Sequence, residues 1–453
     1  MPATKIHDAV TVVLLHEDHI FMLRRQQALK AFPGYWAFPG GKVDQSDQTD
    51  TEHLGPWGSA FDNNLMHALA RELHEELGLS LNQLFDDGDV IDLKKIGQAL
   101  TPPIIPVRFN THFFRLRLKR RPNVQLALSE SAECDWAPAE DWLRQFRDGQ
   151  MLLAPPTLGS LRLFESGADT ASGNAQMEDV DRDGVPLIES INGVRQFYVR
   201  SNTLPPAAHT SAFLLGDMDR HRVLVDPSPC DETELERLLS ATQAFGFQEI
   251  FLTHHHPDHY QFADQIARSL NVPIGLSADS EQRIRAERGD DFFDGITIKH
   301  YAEGDVLTYW LGRPIKILSV PGHDEGQLAL MPQDKSWCIV SDLFQGIGTV
   351  VIAKPEGHMG RYFQSLQRII DLNPRAVYPS HGMGQGGTNR LQETLRHRQM
   401  REQQVEQLYA SGQSIDQMLS QIYQGVDARL LPLARMNIES HLDKLREEGR
   451  VSA

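Results

Sequence analysis

Short apolar runs alternate with helical patterns through the middle of this chain, and that alternation predicts a parallel sheet flanked by helices. Arg222 to Val225 (RVLV) reads as a buried strand that stops at Asp226. The segment DETELERLLSATQAF has helical spacing, and Glu249 to Thr253 (EIFLT) is a second apolar run. Another helix is expected from near Asp258 through YQFADQIARSL, followed later by the strands PIKILSV, SWCIVS and RAVYP. Upstream, Leu65 or Met66, Leu69, Leu73 and Leu77 mark the buried face of an amphipathic helix that Gly78 ends. In FFRLRLKRR, Arg115, Arg117 and Lys119 share one strand face, either solvated or turned to phosphates. Beyond His381, three more helical patterns run to the end.

The candidate chemistry sits where strands stop. THHHPDH puts His254, His256, Asp258 and His259 on one short loop after the EIFL run. PIKILSV runs into Pro321-Gly322-His323, SWCIVS into Asp342, and RAVYP into Ser380-His381. Open α/β sheets bind ligands outside the carboxyl ends of their strands, and clustered imidazoles and carboxylates suit zinc or a similar divalent ion. A histidine-rich surface loop would not explain four such strand ends.

Residues 186–390 resemble the metallo-β-lactamase fold in its glyoxalase II-like branch. The resemblance implies an αβ/βα sandwich in which His254, His256 and His323 hold a first metal, zinc by expectation. Asp258, His259 and His381 would hold a second, Asp342 would bridge, and Asp258 would also orient the attacking water. Asp226 matches the aspartate that supports the family's site, although a plain strand-end turn explains it equally well. His255 is expected to face solvent or stand behind the ligands. Two such cations activate water and polarise a carbonyl or phosphoryl oxygen, so no serine or cysteine nucleophile is needed.

A second signature lies upstream. Phe38-Pro39-Gly40-Gly41 precedes the string from Arg71 to Leu79, RELHEELGL. Glu72, Glu75 and Glu76 are spaced i, i+3, i+4, which places them on one helix face where they repel unless a cation sits among them. Magnesium or manganese is the expected occupant. This segment resembles the Nudix box, and residues 1–165 are assigned to a Nudix domain, which implies an α/β/α sandwich that hydrolyses a diphosphate. Asp44 and Asp47 fall where the box often has glutamate, but a longer stretch than usual separates them from Arg71. That extra segment is expected to be a loop, as in the Nudix subgroups that cleave coenzyme A derivatives. Glu130 or Glu133 is a candidate general base.

Composition narrows the class. A chain of 453 residues with a net charge of −17 has room for several domains and no general attraction to nucleic acid or membranes. Cys134, Cys230 and Cys338 show no paired or metal-like spacing, which fits a reducing, cytoplasmic setting. No apolar run approaches the roughly 20 residues a membrane helix requires, and the first residues lack the character of a secretory or transit segment. The acidic, aperiodic stretch 166–185 reads as a linker. Residues 391–453 are expected to form a small helical, winged-helix-like unit. They resemble the tail of the β-lactamase-like protein 2 group, whose animal members are single-strand endoribonucleases, so RNA enters as a candidate substrate. Against RNA, residues 390–453 carry nine Lys/Arg and nine Asp/Glu, no cationic surplus.

The expectation is therefore an α/β and α+β multidomain, metal-dependent hydrolase of tandem kind. A Nudix half would act on a nucleotide or coenzyme A derivative, and a two-metal half on a thioester, ester or phosphodiester. The alternative is an endoribonuclease with the Nudix domain as an accessory binding module.

Overall fold

A computed structural model describes residues 5–49, 61–104, 107–167, 175–176, 181–182 and 184–452. The chain divides into two compact units, Met1–Arg182 with Pro186–Asn192, and Asp183–Val185 with Gly193–Ala453. Most of the expected linker, and the centre of the extra loop before Arg71, lie outside the described residues.

In the first unit the strand Ile6–His16 runs parallel to Arg108–Leu118 and antiparallel to His19–Arg25 and Gly40–Lys42. Its side chains alternate between two apolar layers, as the pleat requires. Val10, Val12 and Leu14 pack with Leu65, Leu69, Leu73 and Leu77 of the helix Asn63–Leu77. Val13 and Leu15 face the opposite way, towards Trp142, Leu143 and Phe146 of Ala139–Arg147 and Leu158 and Leu161 of Pro155–Glu165. Helices on both faces of one sheet make the α/β/α sandwich. The helix Asn63–Leu77 starts on the Asp62 side chain, which accepts from the amides of Asn64 and Leu65, and ends on left-handed Gly78.

The second unit is built on two sheets. Strands Arg195–Arg200, His209–Leu215 and Val223–Val225 pair antiparallel, and Val223–Val225, Glu249–Phe251, Ile274–Leu276 and Ile298–His300 then run parallel. The other sheet takes Val306–Trp310, Arg313–Ser319, Leu328–Pro332, Cys338–Ser341, Ala376–Pro379 and Gln385–Gly386 in chain order. The sheets meet through contacts such as Phe213 against Tyr378, with ring centroids 5.9 Å apart. Helices cover the outer faces: Ala263–Leu270 packs on the first sheet and Met359–Leu372 on the second. This is the αβ/βα sandwich.

Two local readings need correction. The helix expected from Asp258 onward is two pieces, Pro257–Tyr260 and Ala263–Leu270, because Phe262 between them is left-handed at φ 64°. Arg115 neither meets solvent nor stands ready for phosphate. It is buried and donates to Asp92 at 2.9 Å across the pairing of Val90–Leu100 with Arg108–Leu118.

The chain closes on the helices Asn389–Ala410, Ile415–Ile422 and Leu431–Glu447, which share a core of Val405, Met418, Ile438, Leu442 and Leu445. No strand follows Gln385–Gly386 among the described residues, so this winged-helix unit is purely helical here.

Candidate functional site

Asp226 sits at the carboxyl end of Val223–Val225, buried and left-handed at φ 48°. That unusual backbone aims its carboxylate beneath the histidine loop. One oxygen accepts from the Thr253 amide at 2.8 Å, and the other accepts from the Thr253 hydroxyl at 2.7 Å and from His259 Nδ1 at 2.9 Å. Asp226 is thus a support for the loop rather than a plain turn residue.

The remaining imidazoles are fixed the same way. His323 Nδ1 donates to the Val351 carbonyl at 2.9 Å, and His381 Nδ1 to the His209 carbonyl at 3.0 Å. His254 Nδ1 lies 3.2 Å from the Thr253 hydroxyl and 3.3 Å from that of Ser341. With Nδ1 engaged in His254, His259, His323 and His381, their Nε2 lone pairs point inward, the outer-sphere arrangement that metal-ligating histidines show; His256 is turned the other way, with Nδ1 inward.

These atoms gather in two trios. His256 Nδ1 lies 3.0 Å from both His254 Nε2 and His323 Nε2. Asp258, His259 and His381 form a second trio whose ligand atoms lie within 4.8 Å of one another. Asp342 stands between the trios, 3.6 Å from His323 Nε2, 3.5 Å from His381 Nε2 and 3.8 Å from His259 Nε2. All seven residues carried over from the resemblance therefore meet at one place.

The residues fit a pair of cations. His259 Nε2, His381 Nε2 and Asp342 Oδ1 are buried without a hydrogen-bond partner, a cost of about 1–3 kcal/mol each unless something fills the space. Electrostatics point the same way. Burial pulls His259 down, but Asp226, Asp258 and Asp342 outweigh it and push it up to about 10. Burial and neighbouring imidazoles instead hold His323 down to about 4 and His254 well below its ordinary value. The aspartate side demands positive charge, and the other side offers neutral nitrogen ligands.

Two neighbours had no spacing to announce them. Asp324 is fully buried and pairs with His255, which places His255 behind the ligand loop and not in solvent. Glu356 lies 3.5 Å from His256 Nε2, on the side away from the trio.

The first unit holds a different site. Asn63–Leu77 buries Glu72 and Glu76 and leaves Glu75 exposed. Glu76 accepts from the Gly40 amide at 2.9 Å, yet burial, with Glu72 and Glu130 nearby, pushes it up to about 8. Burial likewise raises Glu72. A Cβ on Gly41 would overlap the Glu72 carboxylate, so any larger residue there would displace that carboxylate. Arg71 Nη1 bonds Glu72 at 2.9 Å and Glu75 at 2.8 Å, while its Nε reaches buried Asp47 at 2.9 Å. Asp47 rather than Asp44 is thus the partner of Arg71. The three glutamates do not converge as tightly as the histidine trios, because Arg71 draws Glu75 aside. Two buried carboxylates, of which only Glu72 reaches Arg71, still suit a hard cation. Glu133 is engaged with Arg24 at 2.7 Å, whereas Glu130 acts on both Glu72 and Glu76.

An αβ/βα sandwich with a His/Asp centre for divalent metal, together with an α/β/α sandwich bearing buried glutamates, defines a metal-dependent hydrolase. Residues 5–152 match the NUDIX domain, residues 206–381 the metallo-beta-lactamase superfamily, and residues 414–453 the beta-lactamase associated winged helix domain. The chain thus carries a NUDIX domain, a metallo-beta-lactamase superfamily domain and a beta-lactamase associated winged helix domain in that order. It is similar to a beta-lactamase-like protein 2 homolog of Caenorhabditis elegans, 26% identical over 53% of this chain and 80% of the relative. A hydroxyacylglutathione hydrolase of Bdellovibrio bacteriovorus is 26% identical over 37% of this chain and 61% of its own length. A beta-lactamase domain protein from Burkholderia ambifaria shares the fold at TM-score 0.51 and 20% identity, covering 60% of this chain and 90% of that one. Among the described residues no helix is long and apolar enough to cross a membrane.

Proposed function

We propose that the chain is a tandem small-molecule hydrolase with two independent centres. The second unit would cleave a thioester, ester or phosphodiester, and the first a diphosphate in a nucleotide or coenzyme A derivative. The observation that carries this reading is the meeting of six ligand side chains and Asp342 around buried, partnerless nitrogens.

His254, His256 and His323 would hold one divalent ion and Asp258, His259 and His381 the other, with Asp342 between them. Zinc suits this donor set, though iron and manganese share it. When bound, such ions polarise the substrate oxygen and make water nucleophilic near neutral pH. Asp258 accepts a proton of the attacking water and orients its lone pair; the Thr210 hydroxyl, donating to the Asp258 carbonyl at 2.9 Å, steadies that residue. In the first unit Glu72, Glu75 and Glu76 would hold magnesium or manganese, Glu75 leaving Arg71 to do so. Glu130 takes the proton of the water that attacks phosphorus.

A thioester is favoured by the likeness to a hydroxyacylglutathione hydrolase. RNA is disfavoured by the closing unit, where Arg390, Arg429, Arg435, Lys444, Arg446 and Arg450 are each paired with a carboxylate. The three free thiols fit a cytoplasmic setting.

The test is a substrate panel: acyl-coenzyme A, coenzyme A, nucleoside diphosphate derivatives, S-lactoylglutathione and labelled single-stranded RNA. Wild type is compared with His254→Ala and Glu76→Gln. Hydrolysis of a thioester and of a diphosphate, each lost in a different variant, is the expected result. RNA cleavage abolished by His254→Ala alone would replace this reading with a nuclease carrying a Nudix accessory.

A further inference from the structure

One loop controls two of the three imidazoles in the first trio. The Val351 carbonyl holds His323 Nδ1, and the His358 amide donates to the Gly322 carbonyl at 2.8 Å, one residue from the same histidine. From the same loop Glu356 faces His256 Nε2 at 3.5 Å. Yet the loop has little structure of its own: no helix or strand is formed between Ser341 and Met359.

What fixes it is the closing helical unit. Asn437, in Leu431–Glu447, accepts from the Ile352 amide at 3.0 Å and from Arg398 Nη1 at 3.2 Å. Arg398, in Asn389–Ala410, also donates to the Val350 carbonyl. The two residues thus grip the backbone on either side of Val351. Asn437, Arg398, Val350 and Ile352 are all buried. Outside them, Lys354 meets Asp443 at 2.6 Å and His358 meets Glu447 at 3.2 Å. Such exposed pairs contribute little, whereas the buried amide and guanidinium cannot be lost without leaving polar groups unpaired.

We propose that Asn437 and Arg398 are positioning residues for the first metal site. Through the backbone of residues 350–352 they fix the His323 ring, so the C-terminal helical unit sets how tightly that site holds its ion. This rests on the reading of His254, His256 and His323 as ligands.

The experiment is a zinc titration of metal-free, full-length protein against a chromophoric chelator that resolves two binding steps. Asn437→Leu removes the acceptor and keeps the volume. The expected result is a weakening of about tenfold, the lower end for outer-sphere partners, in one step only, the same step that His323→Ala abolishes. Asn437→Asp retains an acceptor oxygen beside Arg398 and restores the affinity. Equal weakening of both steps, or none, in a folded Asn437→Leu protein overturns the proposal. A wild-type protein that binds no zinc overturns the ligand reading itself. Should Asn437→Leu fail to fold, Arg398→Lys, which loses the two-pronged grip, carries the same expectation.

Discussion

Glu402 is the electrostatic centre of the closing helices, and its replacement tests whether they are held by charge. Its nearly buried carboxylate accepts from Lys444 at 2.8 Å, Arg450 at 2.9 Å and His441 at 3.4 Å. Burial raises its pKa, but His441, Lys444 and Arg450 outweigh that and bring it from 4.5 down to about 2. At about 1.4 kcal/mol per pKa unit, this gap is worth roughly 3 kcal/mol. The folded value is depressed, so the contribution is complete above the unfolded value near 4.5 and disappears as pH falls towards 2. In Glu402→Gln that contribution is missing at neutral pH. Lys444 and Arg450 keep Glu448, at 2.8 and 3.0 Å, which trims the loss to about 2 kcal/mol. A whole-chain melt would blur this with the other domains. Amide hydrogen exchange in Asn389–Ala410 and Leu431–Glu447, from pH 7 down to 4, isolates it. Protection should fall about thirtyfold in the variant at neutral pH, and the acid-dependent loss seen in wild type should flatten. Unchanged protection, or a wild-type stability that rises as pH falls from 5 to 4, would refute the reasoning.

Other outcomes follow from the two sites. Gly41→Ala pushes a methyl group into the Glu72 carboxylate, so diphosphate hydrolysis should fall at least tenfold while thioester hydrolysis in the same preparation is unchanged. Asp226→Ala removes the acceptor of three bonds under the loop; zinc affinity measured by chelator competition should weaken about 10–100-fold. Chelation should abolish both activities and lower the thermal midpoint of the second unit, zinc restoring one activity and magnesium the other.

The strand ends were legible because physics writes them plainly: an apolar run buried on both faces must stop, and at 226, 253, 320, 341 and 379 it stops beside a carboxylate or an imidazole. The helix Asn63–Leu77 was legible from its spacing. Asp324, Glu356 and the Val351 carbonyl were not, since a side chain or carbonyl on an irregular loop obeys no period. Arg115 misled for a related reason. Strand alternation tells which residues share a face, but not that Asp92 of the neighbouring strand lands opposite Arg117 on that face and pairs with Arg115. The break at Phe262 needed a left-handed aromatic residue, which no propensity anticipates. Glu75 was placed on the right face, but its capture by Arg71 depends on rotamers the spacing leaves open.

The Thr253 hydroxyl reaches Asp226 at 2.7 Å, Ser341 at 2.8 Å, His254 Nδ1 at 3.2 Å and, more distantly, His259 Nδ1 at 3.5 Å. Its single proton goes to Asp226, so its oxygen is left to accept from Ser341 and His254. Asp226 in turn steers His259 in one trio, while His254 belongs to the other. One oxygen atom is therefore a shared keystone, and the two trios are mechanically tied from below. An attempt to re-engineer this centre for a single ion, or for two different elements, would have to cut that tie first; altering the visible ligands alone would carry the disturbance from one position to its neighbour.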